Sequence, residues 1–140
     1  MRDRVFVDSN VLIYAHDLDA GAKHLAAAAL VRSFWEERIG VLSTQVLQEF
    51  YINVTRKISV PLRRSRAREI VRNYSLWQTE TIHPADVVRA SEVEEANQVS
   101  FWDALILVAA AKGGASTLVS EDLNAGQVIA GVTIENPFAD

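Results

Sequence analysis

A chain of 140 residues with 49% hydrophobic content is long enough for one substantial core, so a single domain over residues 1–140 is expected. The absence of cysteine excludes disulfide scaffolds, thiol catalysis and cysteine-containing zinc sites, and a net charge of −4 argues against holding nucleic acid by a global positive field. The N-terminus lacks a secretory pattern and the longest apolar run, Ala104 to Ala111, is far short of the ~20 residues of a transmembrane helix, so a soluble, cytoplasmic protein is expected.

Val5-Phe6-Val7 is a β-branched and aromatic run without alternation, which predicts a short strand buried on both faces. It ends at Asp8-Ser9-Asn10, three residues able to cap a helix that begins with Val11-Leu12-Ile13-Tyr14-Ala15 and stops at the turn signal from Asp17 to Gly21. A second helix is expected from about Ala22 to Arg38. Gly40-Val41-Leu42-Ser43 reads as a second strand, after which Thr44 opens a helix with the apolar stripe Val46, Leu47, Phe50, Val54 and Ile58. Pro61 is expected to open the next helix, where its missing N–H costs nothing. Ala67, Ile70, Val71 and Tyr74 form that helix's inner face and turn Arg66, Arg68 and Arg72 outward.

Thr79 to Ile82 is a third expected strand, stopped by His83-Pro84 and followed by a polar-faced helix from Ala85 to Asn97. The segment from Asp103 to Lys112 is apolar nearly all round, the mark of a helix covered on most sides, and Gly113-Gly114 closes it. Thr117-Leu118-Val119 makes a fourth strand and Val132-Thr133-Ile134 a short fifth. Strands and helices alternating at these lengths imply right-handed crossovers, hence an α/β fold with a mostly parallel sheet of four to five strands flanked by helices.

In such a sheet the carboxyl ends of the strands share one edge, so acids distant in sequence can meet in one cleft. Asp8, Glu49, Asp103 and Asp122 each sit where a strand ends or a helix begins. Two carboxylates roughly 5 Å apart at an effective dielectric of about 20 repel by about 3 kcal/mol, so four together call for a cation. Each has an ordinary explanation as well. Asp8 or Asn10 can cap a helix, and Glu49, roughly 60° round its helix from Val46, can be a solvated side chain near a positive helix end. Ser100-Phe101-Trp102-Asp103 has the spacing of a capping box, and Asp122 follows Ser120-Glu121 in a turn where Glu121 competes for the same role. His16, His24 and His83 have no zinc-motif spacing and are expected to be ordinary surface or core residues.

Taken in order, Val5-Phe6-Val7-Asp8-Ser9-Asn10, Leu47-Gln48-Glu49-Phe50-Tyr51, Phe101-Trp102-Asp103-Ala104-Leu105-Ile106 and Leu118-Val119-Ser120-Glu121-Asp122-Leu123 resemble the PIN-domain ribonucleases, especially the VapC-type toxins of bacterial toxin–antitoxin pairs. The ending, from Gly126-Gln127-Val128-Ile129 through Ile134-Glu135-Asn136-Pro137-Phe138, is similar to the same subgroup, so the resemblance spans essentially the whole chain. It implies a single PIN domain of three layers and an Mg²⁺ or Mn²⁺ site built from Asp8, Glu49, Asp103 and Asp122, with Asn10 and Ser120 in support. It also implies hydrolysis of RNA by a metal-activated water, a homodimer, and a small VapB-like antitoxin as partner. All-oxygen sites of this kind suit hard cations.

Arg56, Lys57, Arg63, Arg64, Arg66, Arg68 and Arg72 supply seven of the fourteen basic residues in one stretch. Arg64 and Arg68 are the candidate contacts to RNA phosphates or to an acidic antitoxin segment, with a plain solvated face as the alternative. Rival readings are a housekeeping PIN nuclease of RNA processing, a phosphate-accepting signalling domain, and a catalytically silent nucleic-acid-binding module. The signalling domain requires a second acid beside its nucleophile and a lysine after a late strand, neither of which the sequence supplies.

Overall fold

The computed structural model describes residues 3–139. In chain order the elements are β1 (Arg4–Val7), α1 (Ser9–His16), α2 (Ala22–Glu37), β2 (Gly40–Ser43), α3 (Thr44–Arg56), α4 (Arg64–Tyr74), β3 (Gln78–Glu80), α5 (Pro84–Asn97), α6 (Phe101–Lys112), β4 (Ala115–Val119), β5 (Val128–Ile129) and β6 (Val132–Glu135). The strands form one sheet in the order β3-β2-β1-β4-β6-β5, parallel throughout except where β5 folds back on β6. The alternation therefore produced the α/β, mostly parallel architecture expected of it, between layers of helices.

Three boundaries differ from expectation for local reasons. The sheet has six strands among the described residues rather than four or five, because β5 is two residues long and too short to leave a pattern. Pro61 does not open α4. Leu62 donates its N–H to the Val54 carbonyl at 2.8 Å, which holds Pro61 to Arg63 outside the helix until Arg64. The third strand runs from Gln78 to Glu80, and Ile82 has already left the ladder, its N–H facing the Thr44 hydroxyl at 3.4 Å. The following helix starts in a capping box between His83 and Asp86.

Phe6 and Val7 are fully buried, as strands covered on both faces require, and α6 is buried from Ala104 to Ala110 where it packs on β2, β4 and α5. Of the expected α3 stripe, Val46, Phe50 and Val54 are wholly buried, whereas Leu47 is half-buried and Ile58, also half-buried, lies beyond the helix end; on α4 Ala67, Ile70 and Tyr74 face inward while Arg66, Arg68 and Arg72 face solvent. His16 belongs to this core's margin. Its ring lies 2.6 Å from the Tyr74 hydroxyl and edge-on to Phe50, and burial, with smaller effects of Arg66 and His24, lowers its pKa to about 4. Among the described residues no helix is long and apolar enough to cross a membrane.

The consequence for function lies in strand order. From β1 the chain moves to β2 on one side and later returns to β4 on the other, so the β1–β4 boundary is a topological switch point, where a crevice opens at the carboxyl edge. Val7 pairs with Val119 across that boundary, which brings Asp8 and Ser120 side by side.

Candidate active site

Asp8 leaves β1 at the switch point and is only 4% exposed. Its cap role and its place in the cleft coexist: the side chain accepts the Ser9 N–H at 2.7 Å, starting α1, while the Ser120 hydroxyl donates to Oδ2 at 2.7 Å. Burial nevertheless pushes its pKa up to about 6. The bonds from Ser120 and Ser9 pull the other way, and the charges of Glu49 and Asp122 add to the rise. Both distant acids are therefore felt at Asp8.

Asn10, in the first turn of α1, ties the two strand ends together. Its amide nitrogen donates to Asp122 Oδ2 at 3.1 Å and lies 3.4 Å from Ser120 Oγ, while its oxygen accepts the Glu121 N–H at 3.2 Å. Ser120 is fully buried and accepts the Asp122 N–H at 3.2 Å. Glu121 faces the other way. Its carboxylate accepts the Tyr14 hydroxyl at 2.7 Å and pairs with Lys23 at 2.5 Å, so it is Asp122 whose side chain joins Asn10.

Asp103 stands in the first turn of α6, two residues later than the helix begins. The Ser100 hydroxyl oxygen accepts the Asp103 N–H at 3.1 Å, the serine half of the expected box. Burial raises the Asp103 pKa, opposed by the Ser100 hydroxyl and assisted by the charge of Asp122. Because α6 runs back against β4, its N-terminus lies at the carboxyl edge with those of α1 and α3, and three positive helix ends border the acids. Glu49, half-buried on α3, makes no side-chain hydrogen bond or ion pair among the described residues.

Sequence reasoning missed Gln45, Tyr14 and Lys23. Gln45 is buried in the first turn of α3, where its amide nitrogen donates to the Trp102 carbonyl at 3.3 Å and its oxygen has no partner. That bond fastens the start of α3 to the start of α6. A glutamine beside a helix N-terminus looks solvated in sequence, and nothing in its spacing marks it otherwise. Arg64 and Arg68 are not brought to the acids. Both are exposed on α4, and Arg68 borders a cavity of about 510 Å³ with Leu47, Gln48, Tyr51, Ile52 and Val71.

The donor set fits a hard divalent cation in kind: four carboxylates, of which Asp8 is buried, Asp103 and Glu49 are half-buried and Asp122 is exposed, flanked by the neutral hydrogen-bonding groups of Asn10 and Ser120. As placed, no three histidine, aspartate or glutamate side chains among the described residues are drawn tightly enough together to ligate one ion. Asp8 is already engaged by Ser9 and Ser120, and mutual repulsion works against closer approach of the others.

The sequence matches the family model described as PIN domain over residues 5–129. No curated protein matches the sequence. Among solved structures, the chain is similar to VapC20 of Mycobacterium tuberculosis, a sarcin–ricin loop cleaving toxin, with a TM-score of 0.61 and 20% identity over 81% of this chain and 86% of that one. It is similar to VapBC2 of Rickettsia felis bound to a DNA fragment from its promoter, with a TM-score of 0.66 and 16% identity over 94% and 97% of the two chains. DNA-bound VapBC of Salmonella typhimurium gives a TM-score of 0.66 and 16% identity over 97% and 99%. At these identities the likeness is one of fold.

Proposed function

The chain belongs to the PIN-domain family, and on that premise we propose that it is a metal-dependent endoribonuclease, the toxin of a toxin–antitoxin pair, with residues 1–140 forming one PIN domain. The observation that supports this reading most is the meeting of Asp8, Ser120, Asn10 and Asp122 at the β1–β4 switch point, where the charges of Glu49 and Asp122 reach Asp8 and that of Asp122 reaches Asp103.

Asp8, Glu49, Asp103 and Asp122 would hold Mg²⁺, with Mn²⁺ able to replace it. When bound, the ion supplies a water of lowered pKa and offsets charge on the phosphate oxygens. The protein's own contribution is positional. Ser120 orients Asp8 through Oδ2, Asn10 holds Asp122 across from it, and the Ser9 N–H keeps the Asp8 carboxylate facing its helix end. The three helix N-termini favour negative charge at this edge, which suits both the carboxylates and an incoming phosphodiester.

A small VapB-like antitoxin, a homodimer and a cytoplasmic location belong to the same proposal, supported by the fold shared with VapBC assemblies. Arg64 and Arg68 are the proposed contacts for RNA or for an acidic antitoxin segment. The phosphate-accepting alternative wants a lysine at the cleft, whereas Lys23 is engaged by Glu121 and Lys112 by Asp86 and the Thr81 carbonyl. The deciding experiment is RNA cleavage by purified protein with Mg²⁺ or Mn²⁺, in parallel with Asp8→Asn, Asp103→Asn and EDTA. Cleavage by wild type alone is expected; undiminished cleavage in EDTA or in either variant overturns the mechanism.

A further inference from the structure

Between β4 and β5 the three consecutive residues Ser120, Glu121 and Asp122 divide their side chains between two places. Ser120 and Asp122 turn toward Asp8 and Asn10. Glu121 turns outward, where the Tyr14 hydroxyl of α1 donates to Oε1 at 2.7 Å and Lys23 of α2 meets Oε2 at 2.5 Å. The bracket is itself supported. The Lys23 ammonium lies 5.1 Å from the Tyr14 ring centre and 5.9 Å from that of Phe138, and the two rings meet edge to face at 5.2 Å.

Nearby, the loop backbone is held by the Ser120 N–H on the Glu135 carbonyl, the Glu121 N–H on Asn10 and the Asp122 N–H on the Ser120 hydroxyl. No helix or ladder carries Asp122, so its direction is set by side-chain contacts: Asn10 on the cleft side and, one residue before it, the outward anchor of Glu121. We propose that Tyr14 and Lys23, acting through Glu121, are positioning residues that set Asp122 in the acidic cleft and keep the neighbouring glutamate from taking its place. The inference rests on the reading of that cleft as a divalent-metal nuclease site. An outward-held Glu121 leaves the ion one acid from this loop; a released one would offer a second carboxylate a single residue away, with a different reach.

The pair is partly solvated, with side-chain exposures of 46% for Lys23 and 24% for Glu121, so its loss should disturb folding little. Outer contacts that orient a ligand typically change metal affinity by about 10- to 100-fold. The test is Mn²⁺ binding to the full chain by titration calorimetry without RNA, then RNA cleavage kinetics, for wild type, the double variant Tyr14→Phe/Lys23→Met, Glu121→Gln and Lys23→Arg. The double variant should bind Mn²⁺ about tenfold more weakly and lose kcat with little change in KM, while its thermal midpoint stays near wild type. Glu121→Gln should fall between, and Lys23→Arg, which keeps the ion pair, should match wild type. Unchanged Mn²⁺ affinity and kcat in both the double variant and Glu121→Gln overturn the clamp and leave the nuclease reading standing. A wild-type protein that neither binds Mn²⁺ nor cleaves RNA overturns that reading and the clamp with it.

Discussion

The acidic cleft and the arginine-rich helix α4 are both concentrations of charge, and they are built in opposite ways. The acids come from four separate places in the sequence and are gathered by strand order and helix direction, with Asp8 buried and its pKa displaced to about 6. The arginines of α4 are neighbours in sequence and exposed to water, and Arg66 has an i,i+3 partner in Glu69. Charge that the chain places locally stays solvated at little cost. Charge that the fold collects is desolvated against its own repulsion, and on the proposed reading a divalent cation would offset it.

The largest expected effect breaks the cleft. Asp8→Asn and Asp103→Asn, each confirmed folded, should lower RNA cleavage by at least about a hundredfold, the scale on which removing one preorganised electrostatic group acts. The matching change on α4, Arg64→Gln/Arg68→Gln, should cost far less in kcat under the same assay.

Stability should move the other way. A carboxyl with its folded pKa raised from 3.8 to about 6 binds its proton more readily in the folded state, so its contribution to stability declines as pH rises through that window. In EDTA at pH 7, Asp8→Asn should therefore be more stable than wild type by about 1–3 kcal/mol, because asparagine retains the cap without the buried charge. Urea unfolding at pH 7 and near pH 4 checks the sign: the advantage should shrink at the lower pH. The α4 glutamine variants should shift stability by less than about 0.5 kcal/mol at either pH.

The smallest effect asks whether α4 serves a partner at all. Charge reversal at Arg64 and Arg68 should weaken RNA binding by about tenfold at low salt and flatten its salt dependence by roughly two phosphate contacts. RNA and antitoxin binding that stay the same at every salt concentration would leave α4 a solvated face.

Much of the fold was legible because its signals are local. The unalternating Val5-Phe6-Val7 run foretold burial on both faces, and the all-round apolar segment after Asp103 foretold the covered helix α6. The misses have nonlocal causes. Pro61 stays outside α4 because Leu62 is held by Val54, and β5 exists only because β6 is beside it to pair with.

From sequence alone came the alternation of strands and helices, the edge at which Asp8 emerges and the motifs of the PIN family. Periodicity and capping chemistry operate over a few residues, so they survive without a fold. The choice between Glu121 and Asp122 did not come that way. Tertiary contacts direct Glu121 to Tyr14 and Lys23, which lie 107 and 98 residues before it, and direct Asp122 to Asn10. The buried link from Gln45 to Trp102 was equally beyond sequence, since a side chain's burial depends on which other elements cover it. Direction and desolvation belong to the assembled sheet edge, where Asp8, a helix cap by its local sequence, is buried and feels the charges of Glu49 and Asp122.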